Sequence, residues 1–167
     1  MGEVYRATDT KLDREVAIKI LPERFAENWQ ALEYLKKQGG IMFLEHVNFT
    51  VSDLDRSVDF YTHLLGIRVR WKGKLDDGRP VAHIGDDRQY IALFQAVSPG
   101  HAEIDMTEVG LNHFGFVVEN LEKMKSRLVE LGVSPSEEQN YGPGRRIYFF
   151  DSDGIEVELV EYDKEAP

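Results

Sequence analysis

His46 and His113 stand at the head of two copies of one pattern. His46 opens HVNFTVSDLDRSVDFYTHLLGIRV and His113 opens HFGFVVENLEKMKSRLVELGV, each a short alternating strand that runs into an amphipathic helix. The alignment continues, with one residue deleted at the helix end, by laying AHIGDDRQYIALFQ from Ala82 on YFFDSDGIEVELVE from Tyr148, so that Ala92 falls on Glu158. Such a duplication predicts two similar halves. If they pack about a pseudo-twofold axis, positions 46, 92, 113 and 158 come from equivalent strands and converge. Three of the four are His, His and Glu, side chains that bind a divalent metal. Two imidazoles and a carboxylate on one side of an ion form the facial triad associated with Fe(II) and compatible with Mn(II); Zn, Ni or Co could use the same donors. The open positions would take a bidentate substrate, water or dioxygen, and the ion's charge would stabilise an oxyanion or enolate-like state.

The elements that must position these residues are legible in the periodicity. Over residues 45–51, Val47, Phe49 and Val51 alternate with His46, Asn48 and Thr50, the pattern of a strand with one packed face and one free to line a cavity. By the same parity Tyr90, Ala92 and Phe94 oppose Ile91 and Leu93; His113, Gly115 and Val117 oppose Phe114 and Phe116; and Glu156, Glu158 and Val160 oppose Val157 and Leu159. A helix is predicted over 53–65, capped by Ser52 or Asp53, apolar at Leu54, Val58, Tyr61 and Leu65, and stopped by Gly66. Strands over 67–74, 80–85 and 89–96 complete the first half. The second half repeats the order from 111 to 162, with a helix over 121–131 ending on Gly132. The predicted fold is α+β, two βαβββ modules in tandem (about 43–97 and 110–162) forming a curved mixed sheet around a metal cavity.

Tyr148 shares the register of Glu158 and could donate a hydrogen bond to an oxygen at the metal, which makes it the candidate catalytic group. Asn48, Tyr90, Phe94 and Phe150 would line the cavity, the aromatics suiting a planar or apolar substrate. The Gly/Pro loop QNYGPGRR, residues 139–146, offers Arg145 or Arg146 to an anionic group, and Arg146 is the candidate. Alignment on Phe149 assigns His83 to the helix side, while His63 falls on a helix and His101 after a Pro-Gly turn, so none of the three is an expected ligand.

Composition bounds the alternatives. A chain of 167 residues with 42% hydrophobic and 11% aromatic content is expected to form one domain plus an extension, or at most two very small domains, with a real core. Its 30 acidic and 20 basic side chains leave a net charge of −10 without a basic cluster, so nucleic acid is not an expected partner. There is no cysteine, which excludes disulfides, thiolate zinc sites and a cysteine nucleophile. Apolar runs are short and no leader pattern stands out, so no membrane association and a cytoplasmic location are expected.

Residues 1–40 lie outside the duplication. MGEVYRATDTKLDREVAIKILPE resembles the start of a bacterial serine/threonine protein kinase, with Gly2 as the last glycine of the phosphate-covering loop and Val16-Ala17-Ile18-Lys19 as the strand bearing the ATP-contacting lysine. The earlier glycines are missing and no HRD or DFG segment follows, so a kinase-like fragment without phosphotransfer activity is expected. A linker helix over 28–37, with Trp29, Leu32 and Leu35 at helical spacing, leads to the boundary at Gly39-Gly40.

The order strand, helix, three strands, given twice over about residues 43–162, resembles the vicinal oxygen chelate superfamily. That superfamily includes glyoxalase I, extradiol dioxygenases, fosfomycin thiol transferases and bleomycin-binding proteins. The resemblance rests on His46 leading into Ser52-Asp53-Leu54-Asp55-Arg56-Ser57 and Phe60-Tyr61, on Leu65-Gly66, and on Asp151-Ser152-Asp153-Gly154 with Glu158. It implies a ligand at position 92 in glyoxalase I and epimerases, and Ala92 argues against both. For fosfomycin thiol transferases it implies the three-ligand set His46, His113 and Glu158, but also a threonine at Asn48 and a basic segment where LVEYDKEAP stands. Extradiol dioxygenases share the three positions, and their signature resembles Tyr148 to Gly154, with Ser152 in place of proline and Gln139, Asn140 and Tyr141 where a catalytic histidine is expected. The resemblance therefore implies a divalent-metal-dependent enzyme acting on a small molecule with two adjacent oxygens, with ring-cleaving dioxygenase as the nearest analogue, in a homodimer. The alternatives are a metal-free protein that sequesters a cationic drug, as bleomycin-resistance members do, or a glutathione or thiol transferase or lyase of the same fold.

Overall fold

The computed structural model describes residues 3–9, 14–20 and 44–163. The chain divides into two compact units, Met1–Leu44 and Glu45–Pro167. In the first, β1 (Glu3–Asp9) and β2 (Arg14–Ile20) form an antiparallel hairpin, which makes the Val16 to Lys19 segment a strand. The helix predicted over 28–37 and the boundary at Gly39-Gly40 lie outside the described residues.

The second unit contains the duplication. Its first module runs β3 (His46–Val51), α1 (Leu54–Leu65), β4 (Arg68–Lys74), β5 (Pro80–Gly85) and β6 (Tyr90–Gln95). Its second runs β7 (His113–Val117), α2 (Leu121–Glu130), β8 (Gln139–Asn140), β9 (Gly144–Phe150) and β10 (Glu156–Tyr162). The sheet orders match, β3-β6-β5-β4 and β7-β10-β9-β8. In each, the first and last strands of the module pair in parallel and the other pairs are antiparallel. The tandem α+β modules expected from the duplication thus carry one four-stranded mixed sheet each.

Local chemistry explains the helices. Asp53 caps α1 by accepting from the Arg56 N–H at 3.0 Å, and Gly66 ends it at φ 70°, a left-handed conformation that glycine adopts without steric cost. Leu54, Val58, Tyr61 and Leu64 form its buried stripe; Leu64, not Leu65, is the fully covered residue of the last turn. Asn120 caps α2 through the Lys123 N–H, and Leu121, Met124 and Leu128 face inward.

One apolar cluster joins the modules, drawing on both helices and on Val51, Ile84, Ile91 and Leu93 of the first sheet and Phe114, Ile147, Phe149, Val157 and Leu159 of the second. Phe49 meets Phe114 at 5.4 Å and Phe60 meets Phe149 at 6.0 Å between ring centroids. Two buried carboxylates cross the same boundary. Asp151 accepts from the Tyr61 hydroxyl at 2.7 Å and from the N–H groups of Asp153 and Ile155, while Asp153 accepts from the Ser52 N–H and the Arg56 guanidinium. The apolar contacts of the strands use the helix-side faces, which leaves the opposite faces of both sheets for a site. Among the described residues no helix is long and apolar enough to cross a membrane.

Candidate metal centre

Register makes the two modules equivalent at their candidate ligands. His46 pairs with Tyr90 and Asn48 with Ala92 between β3 and β6; His113 pairs with Glu156 and Gly115 with Glu158 between β7 and β10. The second module brings two of the three expected ligands together. His113 Nε2 lies 3.4 Å from Glu158 Oε2, and His113 Nδ1 lies 3.8 Å from Glu156 Oε2 and is buried without a hydrogen-bond partner. Donors bound to one ion at about 2.1 Å and near right angles stand roughly 3 Å apart, so this imidazole and carboxylate fit a shared divalent ion. Gly115 leaves room for the carboxylate: a Cβ built there would stand 3.3 Å from Glu158 Oε2.

Tyr148 is the direct cross-strand partner of Glu158 and packs its ring edge-on to His113 at 5.4 Å. Burial, and after it the Glu158 carboxylate, raises the Tyr148 hydroxyl above its ordinary pKa. Arg146 stands behind this pair with its Nε 3.6 Å from Glu158 Oε1 and its guanidinium 4.9 Å over the Tyr141 ring. Arg145 points elsewhere, into an ion-pair network with Glu122, Glu138 and Glu161. Phe150 shares the parity of Tyr148 and is largely exposed.

His46 belongs to the other sheet. It is exposed, with Nδ1 3.0 Å from Glu45 Oε2 and its ring stacked on Tyr90 at 4.8 Å. Asn48 donates its side-chain amide to the Ala92 carbonyl at 2.9 Å, so it ties β3 to β6. Phe94 is half-buried and pairs with Thr50 and Val81. Among the described residues no group of three or more His, Asp or Glu side chains is gathered to hold an ion. The chain thus assembles His113 with Glu158 and holds His46 apart from them.

The placement of three residues beside His46 in this first sheet was not legible in the sequence. His83 lies on the His46 face, contrary to the helix-side parity read from the alignment. It pairs with Ala92, its ring centroid is 4.7 Å from that of Tyr90 and 5.2 Å from Trp71, and its neighbours Ala82 and Ile84 are the core residues. The reason is the hairpin. Gly85 pairs with Tyr90 across the loop 86–89, whereas Phe150 pairs with Glu156 across the longer loop 151–155, so His83 and not Ala82 stands where Tyr148 stands in the second module. Burial lowers the His83 pKa, with smaller contributions from Arg70 and His46. Arg70 and Trp71 join it because the β4 register steps from Val69 opposite Ile84 to Trp71 opposite His83. No sequence signal marks that bulge.

With this geometry in hand, comparison with known proteins identifies the class. Residues 43–159 match the Glyoxalase/Bleomycin resistance protein/Dioxygenase superfamily, and the chain belongs to it. It is 32% identical over 118 residues to the glutathione transferase FosA of Serratia marcescens, covering 70% of this chain and 78% of that one. It is 29% identical over 140 residues to the metallothiol transferase FosB of Shouchella clausii, covering 74% and 89%. A glyoxylase/bleomycin resistance protein/dioxygenase domain from Frankia sp. EAN1pec superposes with a TM-score of 0.64 at 28% identity, over 74% of this chain and 99% of that one.

Proposed function

We propose that this protein is a divalent-metal-dependent enzyme acting on a small substrate with two adjacent oxygens, that His46, His113 and Glu158 are its ligands, and that Fe(II) or Mn(II) is its ion. The observation that carries this reading is the His113 and Glu158 pair, 3.4 Å apart on a sheet face opposite the core, with His46 at the same register position of the other module. Because His46 lies in a different sheet from the other two, the triad is completed between copies, the first module of one chain meeting the second module of its partner in a homodimer. When bound, the ion supplies Lewis-acid stabilisation of negative charge on the substrate oxygens.

The chain's own groups then divide the work. Tyr148, a phenol that is protonated at neutral pH, donates a hydrogen bond to the reacting oxygen. Arg146 holds the Glu158 carboxylate from behind and adds positive charge to the site. Tyr90 and Phe94 supply an apolar wall, with Phe150 at its exposed rim. Ring cleavage of a catechol-type substrate is the nearest analogue by ligand set. Transfer of a thiol is the second reading, favoured by the 32% identity to a glutathione transferase.

Metal analysis of protein purified anaerobically without chelator tests the reading. About one equivalent of iron or manganese per chain is expected, lost in His46→Ala, His113→Ala and Glu158→Ala. Co-refolding His46→Ala with Glu158→Ala separates one-chain from two-chain sites: random mixing regenerates one intact site per heterodimer, about a quarter of the wild-type metal, only if the ligands come from two copies. A wild type that takes up no metal even after anaerobic reconstitution overturns the enzyme reading in favour of drug binding. Oxygen uptake with catechols against consumption of added glutathione decides between the two reactions.

A further inference from the structure

The β-bulge of β4 does more than kink an edge. Bulges re-aim side chains, and this one inserts Arg70 between Val69, opposite Ile84, and Trp71, opposite His83. The Arg70 guanidinium sits 4.7 Å over the Tyr90 ring, and Tyr90 in turn stacks on His46. The rings of Trp71, His83, Tyr90 and His46 follow one another at centroid spacings of 5.2, 4.7 and 4.8 Å, so a row of flat side chains leads from the bulge to a candidate metal ligand.

Arg70 also differs from its fellow arginines in what it lacks. In a chain with 30 acidic side chains against 20 basic ones, Arg56, Arg68, Arg79, Arg145 and Arg146 each have a carboxylate in ion-pair reach, and Arg127 donates to the Leu64 carbonyl. Among the described residues Arg70 has its ring contact and a longer-range attraction to the Asp86 carboxylate, but no ion pair or hydrogen bond. A half-buried guanidinium held 4.7 Å over an aromatic face, with no hydrogen bond from its donors among the described residues, is placed to take a planar oxyanion that can accept two parallel N–H bonds.

We infer that Arg70 anchors the carboxylate of a planar, aromatic-type substrate whose ring lies along the Trp71, His83 and Tyr90 row and whose other end reaches the metal-ligand face at His46. This rests on the enzyme reading above and deepens it by naming the substrate class. It assigns Arg70 a specificity role, distinct from the ligands and from Tyr148.

Calorimetric titration of the full chain with 3,4-dihydroxybenzoate and with catechol, which differ only in the carboxylate, tests it. Each is measured on Mn(II)-loaded and on chelator-treated protein. The wild type is expected to prefer the carboxylated compound by on the order of tenfold or more, the usual worth of a charge-assisted bidentate contact. Arg70→Gln should abolish the preference while leaving catechol affinity unchanged, and Arg70→Lys should keep part of it. Equal affinities in the wild type, binding of neither compound, or a preference that survives Arg70→Gln would overturn the assignment. So would an Arg70→Gln variant that dissociates a dimer with its preference intact, which would give Arg70 to the second copy. The metal reading fails separately, if Mn(II) changes the affinity for neither compound.

Discussion

Tyr61 donates its hydroxyl hydrogen to Oδ2 of Asp151 at 2.7 Å, joining the middle of α1 in the first module to the turn before β10 in the second. Both groups are buried, Tyr61 completely, so the bond spans the modules where water cannot replace it. Burial first, and the Asp151 charge second, pushes the tyrosine well above its ordinary pKa. Tyr61→Phe leaves one oxygen of a buried carboxylate without its donor and is expected to cost about 1–3 kcal/mol in urea unfolding. The pH dependence has a definite sign. The folded pKa lies above the unfolded value of about 10, so this contribution is complete below pH 10 and disappears as pH rises through the folded value. The variant should therefore lose stability less steeply than the wild type in that alkaline range.

His83 bears on the opposite end of the scale. Its folded pKa is lowered, chiefly by burial, so its contribution is present above the unfolded value of about 6.5 and lost as pH falls below it. Wild-type stability should decline between pH about 7 and 5, and His83→Gln should flatten that decline. A variant with an unchanged slope would show that the imidazole is not shielded in solution.

Gly115 is expected to matter for the ion more than for the fold. Gly115→Ala sets a methyl group 3.3 Å from Glu158 Oε2 and 3.4 Å from its Cβ, so the carboxylate must shift by a few tenths of an ångström. Mn(II) affinity should fall by about tenfold, the scale of displaced support around a ligand, with the unfolding midpoint nearly unchanged. Metal titration beside thermal unfolding checks both halves.

Tyr148→Phe keeps the ring beside His113 and removes only the hydroxyl. Metal content should equal the wild type's, while kcat on the identified substrate falls by on the order of a hundredfold, the usual worth of a positioned proton donor. Full activity in the variant would return Tyr148 to the role of a packing aromatic.

Local periodicity was enough for much of this protein. The alternation through Val47, Phe49 and Val51, the cap offered at Ser52 or Asp53 and the stop at Gly66 each depend on a few neighbouring residues, and the elements stand where those signals put them. The duplication also carried the equivalence of His46 and His113, because both open a strand whose parallel partner follows at a similar distance in sequence. Other features depended on choices that no local pattern records. A loop one residue shorter between β5 and β6 reversed the expected face of His83, since the side-chain period in a strand is two and a single-residue slip exchanges its faces. A bulge at Arg70 brought a cation over Tyr90. His113 met Glu158 through the β7–β10 pairing of one module, while His46 stayed apart because the modules joined through their apolar faces, Phe49 meeting Phe114, and left the two candidate-ligand faces outside that core. The sequence by itself determined the types of the candidate ligands and the modules that present them; only the packing of apolar faces in the tertiary structure decided which of those candidates meet within one chain.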